Sequence, residues 1–348
     1  MKSKHFATLL LVPAVLSTAH AQDGEPSPVR VSGFGTGALT WTDTNDAQFA
    51  RANQASGAGT SPRTGVDSNL GIQVDANIND WLSLTGQGLV RKFGEDDYGA
   101  DATLAFAKFR LSDMLNVRVG RVPLAIFMVS DYRNVGYANT MVRPSLEVYS
   151  QVPMDSLDGA DLSWQQTIGP ATLTTQLAYG DSSITMAGGD GKAKVTNGSV
   201  VNVIYEQGPF TLRVGRNDGN LTLDQGFFHL PKTKVSFTAV GFAMDANNVV
   251  VQSEYTQARG VGQGSDGWYA MGGYRFGKLL PYYSHGKQTG ASAQKTDSVG
   301  LRWDAFRSAD IKFQVDRVDP EGPGLFIQPR RGFRGPVTVG TVAVDFVF

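Results

Sequence analysis

Cysteine is absent from this sequence. Its absence excludes disulfides, thiolate-held metals and thiol catalysis together. Histidine is scarce, with four residues in 348, and histidine is the commonest general base. His5 and His20 fall in the N-terminal segment described below. His229, in "GFFHLPKT", and His285, in "PYYSHGKQ", stand in no recognisable serine or aspartate constellation. Ser284 adjoins His285, but neighbours on a strand point to opposite faces and form no nucleophile–base pair. No catalytic residue is therefore assigned. Charge is also sparse, at 18% of residues against roughly 25% in ordinary soluble domains. The balance of 31 basic and 32 acidic side chains leaves a net charge of −1. With no basic stripe interleaved with aromatics, nucleic acid is excluded as a partner. The acidic pieces "DTND" and "GGDGK" lack the alternating oxygen ligands of a calcium loop, so no metal is assigned. "GFGTG" opens no helix and is no dinucleotide fingerprint, so no cofactor is assigned.

Long apolar runs are missing too. Mean hydropathy is −0.18, and nothing beyond the N-terminus approaches the ~20 residues of a spanning helix. The N-terminus reads "MKSKHFATLLLVPAVLSTAHAQ". Lys2 and Lys4 precede an apolar run that ends in Ala19-His20-Ala21, the order of a secretory signal peptide over residues 1–21. Its removal takes two lysines and moves the net charge from −1 to −3.

What the remainder does contain is period two. In "SNLGIQVDANIND", Leu70, Ile72, Val74, Ala76 and Ile78 alternate with Gly71, Gln73, Asp75 and Asn77. Val299, Leu301 and Trp303 alternate with Ser298, Gly300 and Arg302, and Ile311, Phe313 and Val315 with Lys312, Gln314 and Asp316. Such alternation marks strands with two unlike faces. "VSFTAVGFAM" has apolar residues on both faces, which leaves its register open.

The connections alternate as well. Seven short turns lie near Asn79-Asp80, Asp113-Met114, Gly169-Pro170, Gly208-Pro209, Asn247-Asn248, Gly277-Lys278 and Ser308-Ala309. Eight longer stretches lie between them, roughly 43–64, 92–101, 123–157, 181–197, 217–233, 257–266, 286–296 and 318–336. Fifteen connections join sixteen strands of about 9–14 residues, near the ~9–11 that cross a bilayer at a tilt. This predicts an all-β transmembrane antiparallel barrel over 22–348, with short periplasmic turns and long external loops. Closure is required because lipid offers backbone groups no partner. Trp41, Trp81, Tyr98, Tyr179, Phe210, Tyr255, Trp268, Phe276 and Trp303 fall near strand ends, where interfacial belts want aromatic rings.

The sequence ends "VTVGTVAVDFVF". Phe348, Phe346, Val344 and Val342 should face lipid, with Asp345, Ala343 and Thr341 inward. Val339 and Val337 break that parity. This stretch resembles the closing strand of Gram-negative porins, and "LNVRVGRVPLAIF" resembles the porin strand that leads into the third external loop. The resemblance implies a 16-stranded, homotrimeric, water-filled diffusion channel in the outer membrane, with outer-membrane lipid around it. It would pass small hydrophilic solutes and ions. It also implies that the ending is read by the outer-membrane assembly machinery.

By the same resemblance, the long third loop, 123–157, folds into the barrel and narrows the pore. Wall candidates are Arg91, Arg110 and Arg118. Loop candidates are Asp131, Arg133, Arg143 and Glu147, with Asp131 and Glu147 expected to face the basic wall. An aromatic path of Tyr132, Tyr137 and Tyr149 leaves open a solute-specific channel for oligosaccharides or organic anions. A barrel enzyme is the remote alternative.

Overall fold

The computed structural model describes residues 28–94, 97–189, 191–226 and 228–348. The leader assigned to residues 1–21 lies outside them. The first eight strands are β1 (Val29–Thr42), β2 (Asn69–Asn77), β3 (Leu82–Lys92), β4 (Tyr98–Arg110), β5 (Leu115–Pro123), β6 (Ser156–Ile168), β7 (Ala171–Thr185) and β8 (Gly191–Gln207). The rest are β9 (Phe210–Gln225), β10 (Phe228–Ala246), β11 (Val249–Arg259), β12 (Ser265–Tyr274), β13 (Leu279–Gln288), β14 (Gln294–Trp303), β15 (Ala309–Pro320) and β16 (Val337–Val347). Each strand pairs antiparallel with its sequence neighbours, and β1 pairs with β16 to close the barrel.

Period two becomes two surfaces. Leu70, Ile72 and Val74 of β2, Leu212 and Val214 of β9, Val299 of β14 and Phe313 and Val315 of β15 are all exposed. They form one outward band. Trp81, Phe210, Tyr274, Phe276 and Trp303 border it at the short-turn end; Trp41, Tyr98, Tyr179, Tyr255 and Trp268 border it towards the other. An exposed apolar band between two aromatic girdles is the outer surface of a transmembrane barrel.

The seam explains the closing strand. Gly33 and Phe348 exchange backbone hydrogen bonds of 2.9 and 3.0 Å. The Phe348 ring lies over Gly33 and the Phe346 ring over Gly35, so any side chain at either glycine would strike an aromatic ring. Aromatic cover of a strand glycine helps pin register. Val344 and Phe348 are exposed while Thr341, Ala343 and Asp345 are buried, as the alternation predicts.

The seven short turns fall at 78–81, 111–114, 169–170, 208–209, 247–248, 275–278 and 304–308. In one of them Asn247 and Asn248 both take positive φ, +50° and +68°, the geometry of a two-residue hairpin turn whose twist suits the strands. The opposite end departs from expectation. Only the first loop L1 (43–68), the third L3 (124–155) and the eighth L8 (321–336) are long. The stretches 181–197 and 217–233 are largely paired strand, so β7 to β10 rise as a wall, with Asn217 opposite Phe237 and Asp224 opposite His229. Their polar faces hid them: backbone pairing above a lipid belt needs no apolar alternation.

The two irregular stretches now have a cause. In "VSFTAVGFAM", Phe237 and Ala239 point inward and are buried beneath L3. Val337 and Val339 point inward too, where Ala47, Phe49, Ala58 and Val66 of L1 and Phe326 of L8 cover them with Val318. L1 and L8 are tied backbone to backbone between Gln48 and Ile327. An apolar residue on the lumen side of a strand marks a loop packed inside.

Candidate pore constriction

L3 enters the lumen because it carries more apolar surface than a solvated loop could leave wet. Ile126, Phe127, Val129, Met141, Val148 and Tyr149 pack on Phe237, Val250, Tyr269, Met271, Leu280 and Tyr282, the inner face of β10 to β13. Phe127 is fully buried, stacked 4.4 Å from the Tyr149 ring and edge-on to Phe237 at 5.3 Å. Burial of one such ring contributes about 2–3 kcal/mol. The loop's local structure is slight: two 3-10 turns, Ser130–Tyr132 and Gly136–Ala138, and one turn of helix, α1 (Leu146–Tyr149).

Polar groups fix its position. Glu254 of β11 accepts from the Met128 N–H at 2.8 Å, from the Tyr269 hydroxyl at 3.0 Å and from the Tyr149 hydroxyl. Lys312 of β15 donates to the Gly136 carbonyl at 2.7 Å and pairs with Asp345 at 2.8 Å. Gly136 has to be glycine, because a Cβ there would collide with the Asp345 carboxylate and the Thr36 hydroxyl. Arg302 donates to the carbonyls of Tyr137 and Asn139, each at 2.9 Å. Buried donors and acceptors left unmade would cost about 1–3 kcal/mol each, so these bonds decide where the loop lies.

Arg143 and Glu147 were expected to line the pore, and they do not: each is only 3% exposed. Arg143 donates through Nε and Nη2 to Asp67 of L1 at 2.9 and 2.7 Å. Its Nη1 reaches Asp316 at 2.8 Å, and Nη2 reaches the Thr341 hydroxyl at 2.6 Å. Burial alone would raise the Asp67 carboxyl, but Arg143 outweighs it and holds it below its ordinary value. Glu147 accepts from Ser145 and Gln294, both at 2.7 Å, and from Thr296. Both residues pin L3 to the wall of β14 to β16. A charge in a loop has no strand parity, so its burial was not readable from position.

The other expected residues divide. Asp131 is exposed on L3 and within electrostatic reach of Arg118. Arg118 of β5 makes a two-pronged pair with Asp161 of β6, at 2.9 and 2.5 Å. Arg110 is exposed at the short-turn end of β4 and meets no part of L3. Arg91 of β3 reaches L3 by a 2.5 Å bond to Asp155 and a 3.2 Å bond to Asn134. Arg133 joins the same carboxylate at 3.0 Å. Burial opposes ionisation of Asp155, yet Arg133 and Arg91 hold its pKa down to about 2. The three tyrosines form no path: Tyr149 is buried, Tyr132 packs on the same cluster, and Tyr137 bonds the Arg307 carbonyl at 2.9 Å.

The opposite wall stays wet. Gln73, Asp75, Thr85, Gln87 and Thr103 form a chain of side-chain hydrogen bonds of 2.7–2.9 Å across β2 to β4. Lys108 and Arg110 continue it without an ion pair among the described residues. Sequence reasoning missed L1, which supplies Asp67 to the Arg143 pin and packs with L8; Val337 and Val339 were its signal.

No protein-family model matches the chain, and no curated protein matches it. Solved structures do. The OmpF of Salmonella typhi, in complex with daunomycin, is 16% identical, with 92% of this chain and 97% of that chain covered and a TM-score of 0.62. The outer membrane protein OmpT of Vibrio cholerae, in its trimer form, is 12% identical, covers 92% and 99%, and has a TM-score of 0.59. A variant of the Rh. blastica porin is also 12% identical, covers 92% and 100%, and has a TM-score of 0.54. The fold is that of the 16-stranded porin barrels, and at these identities the likeness is one of fold.

Proposed function

We propose that the protein is an outer-membrane porin, a water-filled channel for passive diffusion of small hydrophilic solutes and ions. The observation that carries this is the divided lumen: L3 covers one inner wall with apolar packing while the facing wall keeps hydrogen-bonding and charged groups in water. A barrel filled for strength alone would cover both. Inward charges without an ion pair among the described residues come in both signs, Lys108 and Arg110 with Asp131 and Glu206. The pore is therefore weakly ion-selective, since both ions find compensating charge along the path. Planar-bilayer recordings test this: discrete conductance steps and a small reversal potential under a salt gradient are expected. An absence of steps would overturn the pore, and a strong preference for either ion would overturn the charge balance.

The short turns face the periplasm and the long loops the exterior in this reading. Assembly as a homotrimer is supported by the trimer form of the similar Vibrio cholerae barrel, and conductance steps in threes would follow. Phe348, with Phe346, Val344 and Val342, serves as the ending that the assembly machinery reads. Its deletion removes the ring over Gly33 as well and should lower outer-membrane yield several-fold.

A further inference from the structure

At the edge of the constriction, L1, β3 and L3 meet in a small, partly open recess of about 30 Å³, lined by Arg51, Arg91, Arg133, Asn69 and Ser150 among others. Four arginines crowd this corner, the fourth being Arg143 behind it. Among the described residues three carboxylates answer them, and each is committed. Asp67 and Asp316 hold Arg143, and Asp155 holds Arg91 and Arg133. Among the described residues, Arg51 is the arginine left over. Its main-chain N–H bonds Gln54, but its half-buried guanidinium has no partner among the described residues. The Nε of Arg91 is also buried without a hydrogen-bond partner among the described residues.

We propose that this recess binds a soluble oxyanion, a phosphate or a small carboxylate, with Arg51 as the donor and Arg91 and Arg133, held by Asp155, adding positive charge behind it. A guanidinium presents paired donors in a plane that matches two oxygens of such a group, so the free fork of Arg51 suits an oxyanion better than a spherical halide. Burial, foremost, with the like charges of Arg91, Arg133 and Arg143, pulls Arg51 down to about 10 against the field of Asp67. An anion here relieves that uncompensated charge. The site lies inside the barrel, away from the lipid-facing band, so a lipid headgroup does not reach it.

The site is independent of conduction, and so is its test. Inorganic phosphate is titrated calorimetrically into the purified, detergent-folded full barrel at matched ionic strength, with chloride as the comparison ion. Saturable phosphate binding that chloride does not reproduce is expected, weakened at least tenfold in Arg51→Gln. Arg51→Lys keeps the charge and loses the paired donors, and should fall between the two. It also serves if the glutamine variant fails to fold. Non-saturable uptake, or equal phosphate affinity in the native and Arg51 variants, overturns the site. Failure in the bilayer with phosphate binding intact overturns the pore instead.

Discussion

The two inner walls of the barrel are built from the same pleated backbone and differ in what lies on them. From β10 to β16 the wall is dry: L3, and beside it L1 and L8, cover Phe237, Tyr269, Val318 and Val339. From β2 to β6 it is wet, with Asp75, Lys108 and Arg118 in reach of solvent. A charge therefore means opposite things on the two sides. On the dry wall an ion pair is a structural pin whose loss strands its partner away from water. On the wet wall water replaces a lost partner at little cost.

Arg143→Ala breaks this comparison hardest. It leaves Asp67 and Asp316 buried and unpaired, a loss of about 3–5 kcal/mol. The counterpart is Arg30→Ala, whose pair with Asp75 is 3.5 Å long and well exposed, and which should cost under about 1 kcal/mol. Thermal unfolding of the two variants measures the gap. Equal losses would mean that L3 is not pinned as described. Phe127→Ala probes the apolar half of the same anchorage and should cost about 3–5 kcal/mol by leaving a cavity under the loop. Freed of it, L3 should make the open channel noisier.

Acid gives the next largest effect. The folded pKa of Asp155, about 2, lies below its ordinary value of 3.8. Its contribution is complete above about pH 4 and is lost as the pH falls towards 2, amounting to about 2 kcal/mol. Limited proteolysis of L3 should rise across that window, and Asp155→Asn should flatten the rise at the expense of a looser loop at neutral pH.

The smallest effect on stability belongs to the wet wall. Lys108→Glu should change stability by no more than about 0.5 kcal/mol. It should nonetheless shift the reversal potential towards cation preference, because that exposed side chain has no ion pair among the described residues. An unchanged reversal potential would place Lys108 off the conduction path.

The sequence by itself determined the strand number, the seven tight turns, the outward faces and the inward set of β16. Alternation reports two unlike environments, and lipid against lumen is the sharpest such contrast a strand meets. It also carries the places of the inserted loops, which the apolar inward residues of β10 and β16 mark. Only the tertiary structure decided that L1 joins L3 within the barrel, that 217–225 and 228–233 are strand, and that Arg143 and Glu147 are pins while Lys108 and Asp131 stay wet. The reason is physical. Strand parity is local, set every two residues by the pleat, whereas the fate of a loop charge depends on partners far away in the chain, as Asp67 and Asp316 are for Arg143.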